Sequence, residues 1–354
     1  ISEMPSEWSA AVRRWQRMNA RFKRTLEDGR VAPDANEEYL LYQTIAGAWP
    51  WLMDTLDERK AFLTRIKKYA SKALSEAKVN VSWLNPNPAY VDAVHGFLDD
   101  ILLPAPRTQE TRFVETLRTI LPQLQIFGGI NSLAQTVLKI ASPGIPDFYQ
   151  GTEMWDLSLV DPDNRRPVDY ALRAQALSAL QGPTLSDNAG DTPEKRVPHS
   201  SPLSGDEWDR TNPQDQISLC KDLLTNFHDG RAKLWTTHRA LALRQTHHEV
   251  FRRGNYTPLP IENDKQQHAI AFLRQTSSKS ILAAVPRFAY TLMKGKPAIT
   301  LSEAWGTASI TLPETAPASF LNIYTGEKIT ADANRTLPLS EIFANFPAAL
   351  LISD

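Results

Sequence analysis

The sequence predicts two joined parts: a mostly helical region broken by one short buried strand, α/β in class, and then a small antiparallel β-sandwich. Three observations carry this expectation. The first 141 residues read as a succession of amphipathic helices. The apolar run Ile145 to Tyr149 lies between the turn residues Pro143-Gly144 and Gln150-Gly151. From Gly254 onward, short apolar runs are separated by turns.

The helices follow in order. Pro5 and Ser6 open a segment in which Trp8, Val12, Trp15, Met18 and Phe22 recur at helical spacing. Asn36 suits an N-cap for Glu37 to Trp49, and Pro50 stands where that helix should stop. Asp57 to Lys78, Tyr90 to Leu103 and Thr108 to Leu121 are further candidates. Pro122 and Gly128-Gly129 punctuate the next stretch, and Asn131 can cap a helix over Ser132 to Ala141. After the strand at Ile145 to Tyr149 come a loop, Met154 to Pro167, and a helix, Val168 to Leu180. Residues 181–216, rich in Pro, Ser, Asp and Gly, predict a surface connector. Helices resume over Ile217 to Phe227 and Arg231 to Val250. A boundary at 251–256 leads into strands at 269–273, 281–285, 308–312, 320–324 and 348–352.

Composition narrows the function classes. The 354 residues suffice for two or three domains at roughly 100–200 residues each. Lys plus Arg is 39 and Asp plus Glu is 40, so the formal charge is −1 and no electrostatic footprint for nucleic acid or anionic membrane is expected. Cys220 is the single cysteine, which excludes an intrachain disulfide and a Cys-based zinc site; a small buried residue is its expected role. No window reaches the ~18 consecutive apolar residues of a membrane span. The start has no signal pattern, so a soluble, cytoplasmic protein is expected. Residue 1 is Ile and not Met, which predicts that further residues precede it. Adjacent His247-His248 cannot converge on one ion, and neither a Gly-rich phosphate loop nor a Gly-x-Ser-x-Gly elbow occurs. No metal and no cofactor are expected.

The informative stretch is SPGIPDFYQGTEMWDLSLVDPDNRRP, Ser142 to Pro167. It sets a strand directly before a loop that holds Glu153, Trp155, Asp156, Asp161, Asp163, Asn164, Arg165 and Arg166. Side chains just past the C-terminal end of a parallel strand line the mouth where ligands bind. Carboxylate, amide and guanidinium groups can each hold vicinal hydroxyls, and the rings of Tyr149 and Trp155 offer flat faces to a pyranose. The same types can equally pin a loop, with Asp161 bound to Arg165 or Arg166 and Pro162 with Asn164 making a turn.

The run PGIPDFYQGTE resembles the last barrel strand of the alpha-amylase superfamily, glycoside hydrolase family 13. The longer LVDPDNRRPVDY is similar to the maltooligosyltrehalose synthase family within it. SEMPSEW at 2–8, EYLLYQTIAGAWP at 38–50, NSLAQTVLK at 131–139, DGRAKLW at 229–235, RRGNYTPL at 252–259 and Pro286-Arg287 agree as well. Ser75 and Val91 depart from the charged residues expected there, and the 181–216 connector looks longer than usual.

What the resemblance implies is specific. Residues 1–250 would be the C-terminal part of a (β/α)8 TIM barrel with a helical insertion at about 24–125 and its last strand at 145–149, and residues 251–354 a β-sandwich domain. The family converts the reducing-end α-1,4 bond of a maltooligosaccharide into an α,α-1,1 bond by intramolecular transglucosylation, without a cofactor. A retaining mechanism uses an Asp nucleophile and a Glu acid/base separated by ~5–5.5 Å, with water kept away from the intermediate. In the superfamily these acids stand at barrel strands 4, 5 and 7, so they are expected upstream of Ile1, on the missing N-terminal part of the same enzyme, and this segment alone is expected to be inactive. Tyr149, Glu153, Trp155, Asp161, Asp163, Asn164, Arg165 and Arg166 are then the expected substrate-binding residues, with Trp49 and Trp83 as weaker candidates. Glu153 reads as a structural carboxylate and Asp147 as a buried, hydrogen-bonded one. Two other readings stay open: a related hydrolase or glucanotransferase, and a non-catalytic carbohydrate-binding or interaction fragment.

Overall fold

A computed structural model describes residues 1–105, 108–181, 212–299 and 301–353. The chain forms two compact units, Ile1–Gln125 with Leu157–Pro167, and Ile126–Asp156 with Val168–Asp354. This division differs from the expected boundary at 251–256. The connector expected over 181–216 falls mostly on residues outside those described; its last residues open a helix at Pro213.

The first unit is helical. Pro5 sits in the first turn of α1 (Pro5–Asn19), where its missing N–H costs nothing, and α1 buries Trp8, Val12, Trp15 and Asn19. Trp15 is the hub: its ring meets Trp8, Tyr42 and Phe113 edge-on, with centroids 5.2–5.6 Å away. A small hairpin, β1 (Arg24–Thr25) and β2 (Val31–Ala32), precedes α2 (Ala35–Ala48). The cap of α2 is Asp34, not Asn36. Its carboxylate accepts the Glu37 N–H while Glu37 reaches back to the Asp34 N–H. Thr55 and Glu58 repeat that arrangement at the start of α3 (Leu56–Ala77). α4 (Pro88–Leu102) and α5 (Arg112–Arg118) complete the core around Ile45, Phe62, Ile66, Phe97 and Leu117.

Residues 121–141 form one helix, α6 (Leu121–Ala141), so the expected break at Gly128-Gly129 does not occur. Pro122 is harmless in the first turn. Gly129 is there for space, since a Cβ would stand 2.4 Å from the Phe227 ring.

The second unit continues with α7 (Tyr170–Gln181), α8 (Pro213–Thr225), α9 (Arg231–Thr246) and α10 (His248–Arg253). Next come β3 (Asn255–Pro258), β4 (Ala269–Gln275), β5 (Ser280–Pro286), α11 (Ala289–Leu292), β6 (Ser309–Thr311), β7 (Ser319–Asn322), β8 (Lys328–Thr330), β9 (Thr336–Pro338), α12 (Leu339–Ile342) and β10 (Ala349–Ser353). Among the described residues, the strands of this unit form one six-stranded antiparallel sheet, β3-β4-β5-β10-β7-β8, and a two-stranded ribbon, β6-β9. Ile310 and Leu337 of the ribbon share a core with Leu273, Leu282, Phe320 and Leu351 of the sheet. The opposite face of β4 carries the buried Arg274, whose guanidinium donates to the carbonyls of Ala141, Phe251 and Gly254. β5 is buried along its whole length because both faces are covered.

The expected strand at 145–149 is not formed. These residues have no ladder partner among the described residues, Ile145 is 95% exposed, and Asp147 is exposed as well. A strand exists only through its neighbours, and an apolar run without them stays irregular.

Candidate functional site

The expected site residues fall into two groups, one in each unit. In the first unit, the loop Leu157–Pro167 holds Asp161, Asp163, Asn164, Arg165 and Arg166, and Asp163–Arg165 make a 3-10 turn. Asp163 is the centre of this loop. Its carboxylate takes Arg65 Nε at 3.0 Å and Nη2 at 2.9 Å, and also accepts the Leu159 N–H at 2.8 Å. Arg166 Nε approaches the same carboxylate at 3.1 Å. Burial alone would raise the Asp163 pKa; the Arg65 hydrogen bonds, the Leu159 amide and the two guanidinium charges outweigh it and hold the group below the ordinary carboxylate value.

Arg166 also donates to the Asp163 carbonyl and to Ser158 Oγ, both at 2.9 Å. Arg165 pairs with Asp161, and Lys72 of α3 donates to the Asp161 carbonyl at 2.7 Å. Both arginines stay exposed while doing this. The Asn164 amide oxygen is buried with no donor among the described residues.

Tyr149, Glu153 and Trp155 lie in the second unit. Tyr149 is 49% exposed. Trp155 is half-buried; its indole N–H donates to the Phe227 carbonyl, and its ring meets Phe227 edge-on at 5.0 Å. Glu153 faces Arg173 of α7, with Nε to Oε2 at 3.3 Å, and Arg173 donates in turn to the carbonyls of Gly151 and Asp169. Gly151 adopts a φ of +89°, which strains any side chain, and a Cβ there would press on Val168 at 3.3 Å.

Sequence reasoning found the acids and arginines of the loop and the Asp161–Arg165 pair but missed the partners from outside it. Arg65, Lys72 and Arg173 lack any local signature; the one available signal is that Arg65 and Lys72, seven apart, share a face of α3. Lys233, within DGRAKLW, was missed too. Burial and the charge of Lys139 lower its pKa, while Asp156 and Glu153 oppose the change. Lys139 lies 3.6 Å from the Phe148 ring centroid. Of the weaker candidates, Trp49 is buried against Phe62, whereas Trp83 is 65% exposed. Cys220 is buried; its thiol donates to the Tyr324 carbonyl, and burial pushes its pKa up to about 12.

Chemically, the first unit offers a braced polar loop, and the second holds Tyr149, Trp155 and the ion-paired Glu153 within one short segment. Asp161, Asp163 and Glu153 are each engaged by a cation. Among the described residues no three His, Cys, Asp or Glu side chains gather where they could hold a metal ion, and no helix is long and apolar enough to cross a membrane.

No family model matches the chain. A protein named as a maltooligosyl trehalose synthase in Mycobacterium tuberculosis, from strains CDC 1551 and H37Rv alike, is 32% identical over 323 residues, covering 91% of this chain and 32% of that protein. The solved maltooligosyltrehalose synthase of Arthrobacter ramosus aligns with a TM-score of 0.68 and 27% identity over 99% of this chain and 35% of that one. A further crystal structure of a maltooligosyl trehalose synthase gives 0.65 and 25% over 99% and 36%. The chain therefore spans about a third of the length of the relatives it matches. Over nearly all its residues, the chain is a homologue of one third of a maltooligosyltrehalose synthase, as LVDPDNRRPVDY and its companion motifs had implied.

Proposed function

We propose that the chain is part of a (1→4)-α-D-glucan 1-α-D-glucosylmutase, an isomerase of trehalose synthesis in the cytoplasm that acts on maltooligosaccharides. In this reading residues 1–250 contribute the C-terminal part of an alpha-amylase-type barrel with its helical insertion, and residues 251–354 a β domain. The chain supplies substrate-binding surface, and the nucleophile and acid/base come from the remainder of the enzyme.

The observation that carries this is the 157–167 loop. Arg65 and Arg166 close on Asp163 from two sides, so the backbone is fixed while the Arg165 and Arg166 side chains stay at the surface. Exposed guanidiniums on a fixed backbone can orient sugar hydroxyls without losing much further conformational freedom. Tyr149 and Trp155 add stacking faces. The carboxylates of the candidate site, Asp161, Asp163 and Glu153, are each held in an ion pair, which suits bracing and is in keeping with catalysis by the remainder of the enzyme.

The test is incubation of the 354-residue chain with maltopentaose, reading reducing ends and binding heat in parallel. Saturable binding with unchanged reducing ends is expected. Loss of reducing ends, or release of glucose, by the chain alone would contradict the assignment of catalysis to the remainder.

A further inference from the structure

The first unit contains a cavity of about 430 Å³ lined by Arg14, Arg17, Met18, Arg112, Glu115 and Thr116. The glucan reading gives it no role. Its volume lies within the range of about 300–1,000 Å³ typical of small-molecule sites. Arg14, Arg17 and Met18 come from the second half of α1, and Arg112, Glu115 and Thr116 from α5. The two helices are locked beneath it: the Trp15 indole N–H donates to Thr116 Oγ1 at 2.9 Å, and the Trp15 ring packs on Phe113. The two helix backbones that carry the lining are therefore fixed relative to each other.

Arg14, Arg17, Arg112 and Glu115 are exposed, and none has an ion-pair or side-chain hydrogen-bond partner among the described residues. Some arginines of the unit are ion-paired, with Arg59 and Arg118 on Glu110, Arg65 and Arg166 on Asp163, and Arg165 on Asp161, whereas Arg14, Arg17 and Arg112 line the hollow with no acid bound to them among the described residues. Three guanidiniums against one carboxylate give the hollow a net positive lining, which suits an anion. Guanidinium forks match phosphate oxygens bidentately, and a phosphomonoester brings nearly two charges at neutral pH. A neutral glucan offers these cations no counter-charge. Glu115 is out of place for a bare oxyanion but suits an acceptor of hydroxyl protons.

We propose that this cavity binds a small phosphorylated sugar, its phosphate held by Arg14, Arg17 and Arg112 and a ring hydroxyl accepted by Glu115.

The experiment is calorimetric titration of the 354-residue chain with glucose 6-phosphate, inorganic phosphate and glucose at constant ionic strength. Glucose 6-phosphate is expected to bind saturably, inorganic phosphate to compete more weakly, and glucose not to compete. Arg17→Ala and Arg112→Ala should each weaken glucose 6-phosphate at least tenfold, with circular dichroism reporting an unchanged fold. Arg17→Lys, which keeps the charge, should lose less than Arg17→Ala. Arg13→Ala, on α1 but outside the lining, should stay within twofold. Glu115→Gln should narrow the gap between glucose 6-phosphate and inorganic phosphate. The proposal is overturned by no saturable binding, by losses under twofold in both alanine variants, or by an equal loss in Arg13→Ala. Inorganic phosphate binding as tightly as the sugar phosphate overturns the ligand class.

Discussion

Asp163 braces the 157–167 loop from inside, and its chemistry sets the first expectations. Arg65→Ala would leave a poorly solvated carboxylate with Arg166 and one amide, costing about 1–3 kcal/mol. A lower urea midpoint and faster proteolysis within 157–167 would report it. Because the folded-state pKa of Asp163 is depressed, its contribution is present above the ordinary carboxylate value and disappears as pH falls through the lower folded value. Asp163→Asn should therefore remove part of the acid sensitivity below about pH 4; an unchanged acid limb would contradict this. The exposed Arg165–Asp161 pair is a different case, worth about 0–1 kcal/mol, so Arg165→Ala should leave the unfolding midpoint almost unmoved. At this scale the sequence disclosed which loop residues carry charge. It did not disclose Arg65, because a partner that far along the chain leaves no periodic trace.

Element by element, the clearest sequence signals were those with local physics behind them. Helical spacing located α1 and α4, a long run free of Gly and Pro located α3, and the β4–β5 hairpin appeared with its turn. The α2 cap was misplaced by two residues because Asp34 and Asn36 are both good caps, and only the reciprocal bond from Glu37 decides between them. Thr55→Ala, which breaks the same device on α3, should lower stability by about 1 kcal/mol in a denaturant titration. α6 shows the limit of reading glycine as punctuation. Gly129 serves close packing, so Gly129→Ala should destabilise by about 1–3 kcal/mol despite its better helix propensity; a gain in Tm would contradict this. Ile145 to Tyr149 fails for a related reason. An apolar run reveals its own hydrophobicity but not whether partners exist on either side, and here no described residue pairs with it. β8 and β9, at three residues each, are too short to announce themselves by alternation.

On the scale of the whole molecule, burial governs the response to mild acid. His95, His238 and His247 all have pKa values lowered by burial, so their neutral forms fit the fold and protonation opposes it. Stability should then be full above the ordinary histidine value of about 6.5 and decline as pH falls below it. Urea midpoints at pH 7.5 and pH 5.5 would check this, and equal midpoints would contradict it. The kinship of the chain was legible from DPDNRRP and its neighbours, since a string of charged and turn residues is far more specific than apolar patterning. The division into two compact units was not, because the 157–167 segment joins residues 1–125 through Asp163 and Asp161, which sequence proximity cannot show. We propose that this loop presents Arg165 and Arg166 to the sugars of a maltooligosaccharide. The most direct test is the ratio of terminal trehalose product to released glucose formed from maltopentaose by the enzyme of which we propose this chain is part. Arg165→Ala and Arg166→Ala should shift that ratio several-fold toward glucose, as a loosened acceptor site admits water; an unchanged ratio at normal affinity would contradict the account.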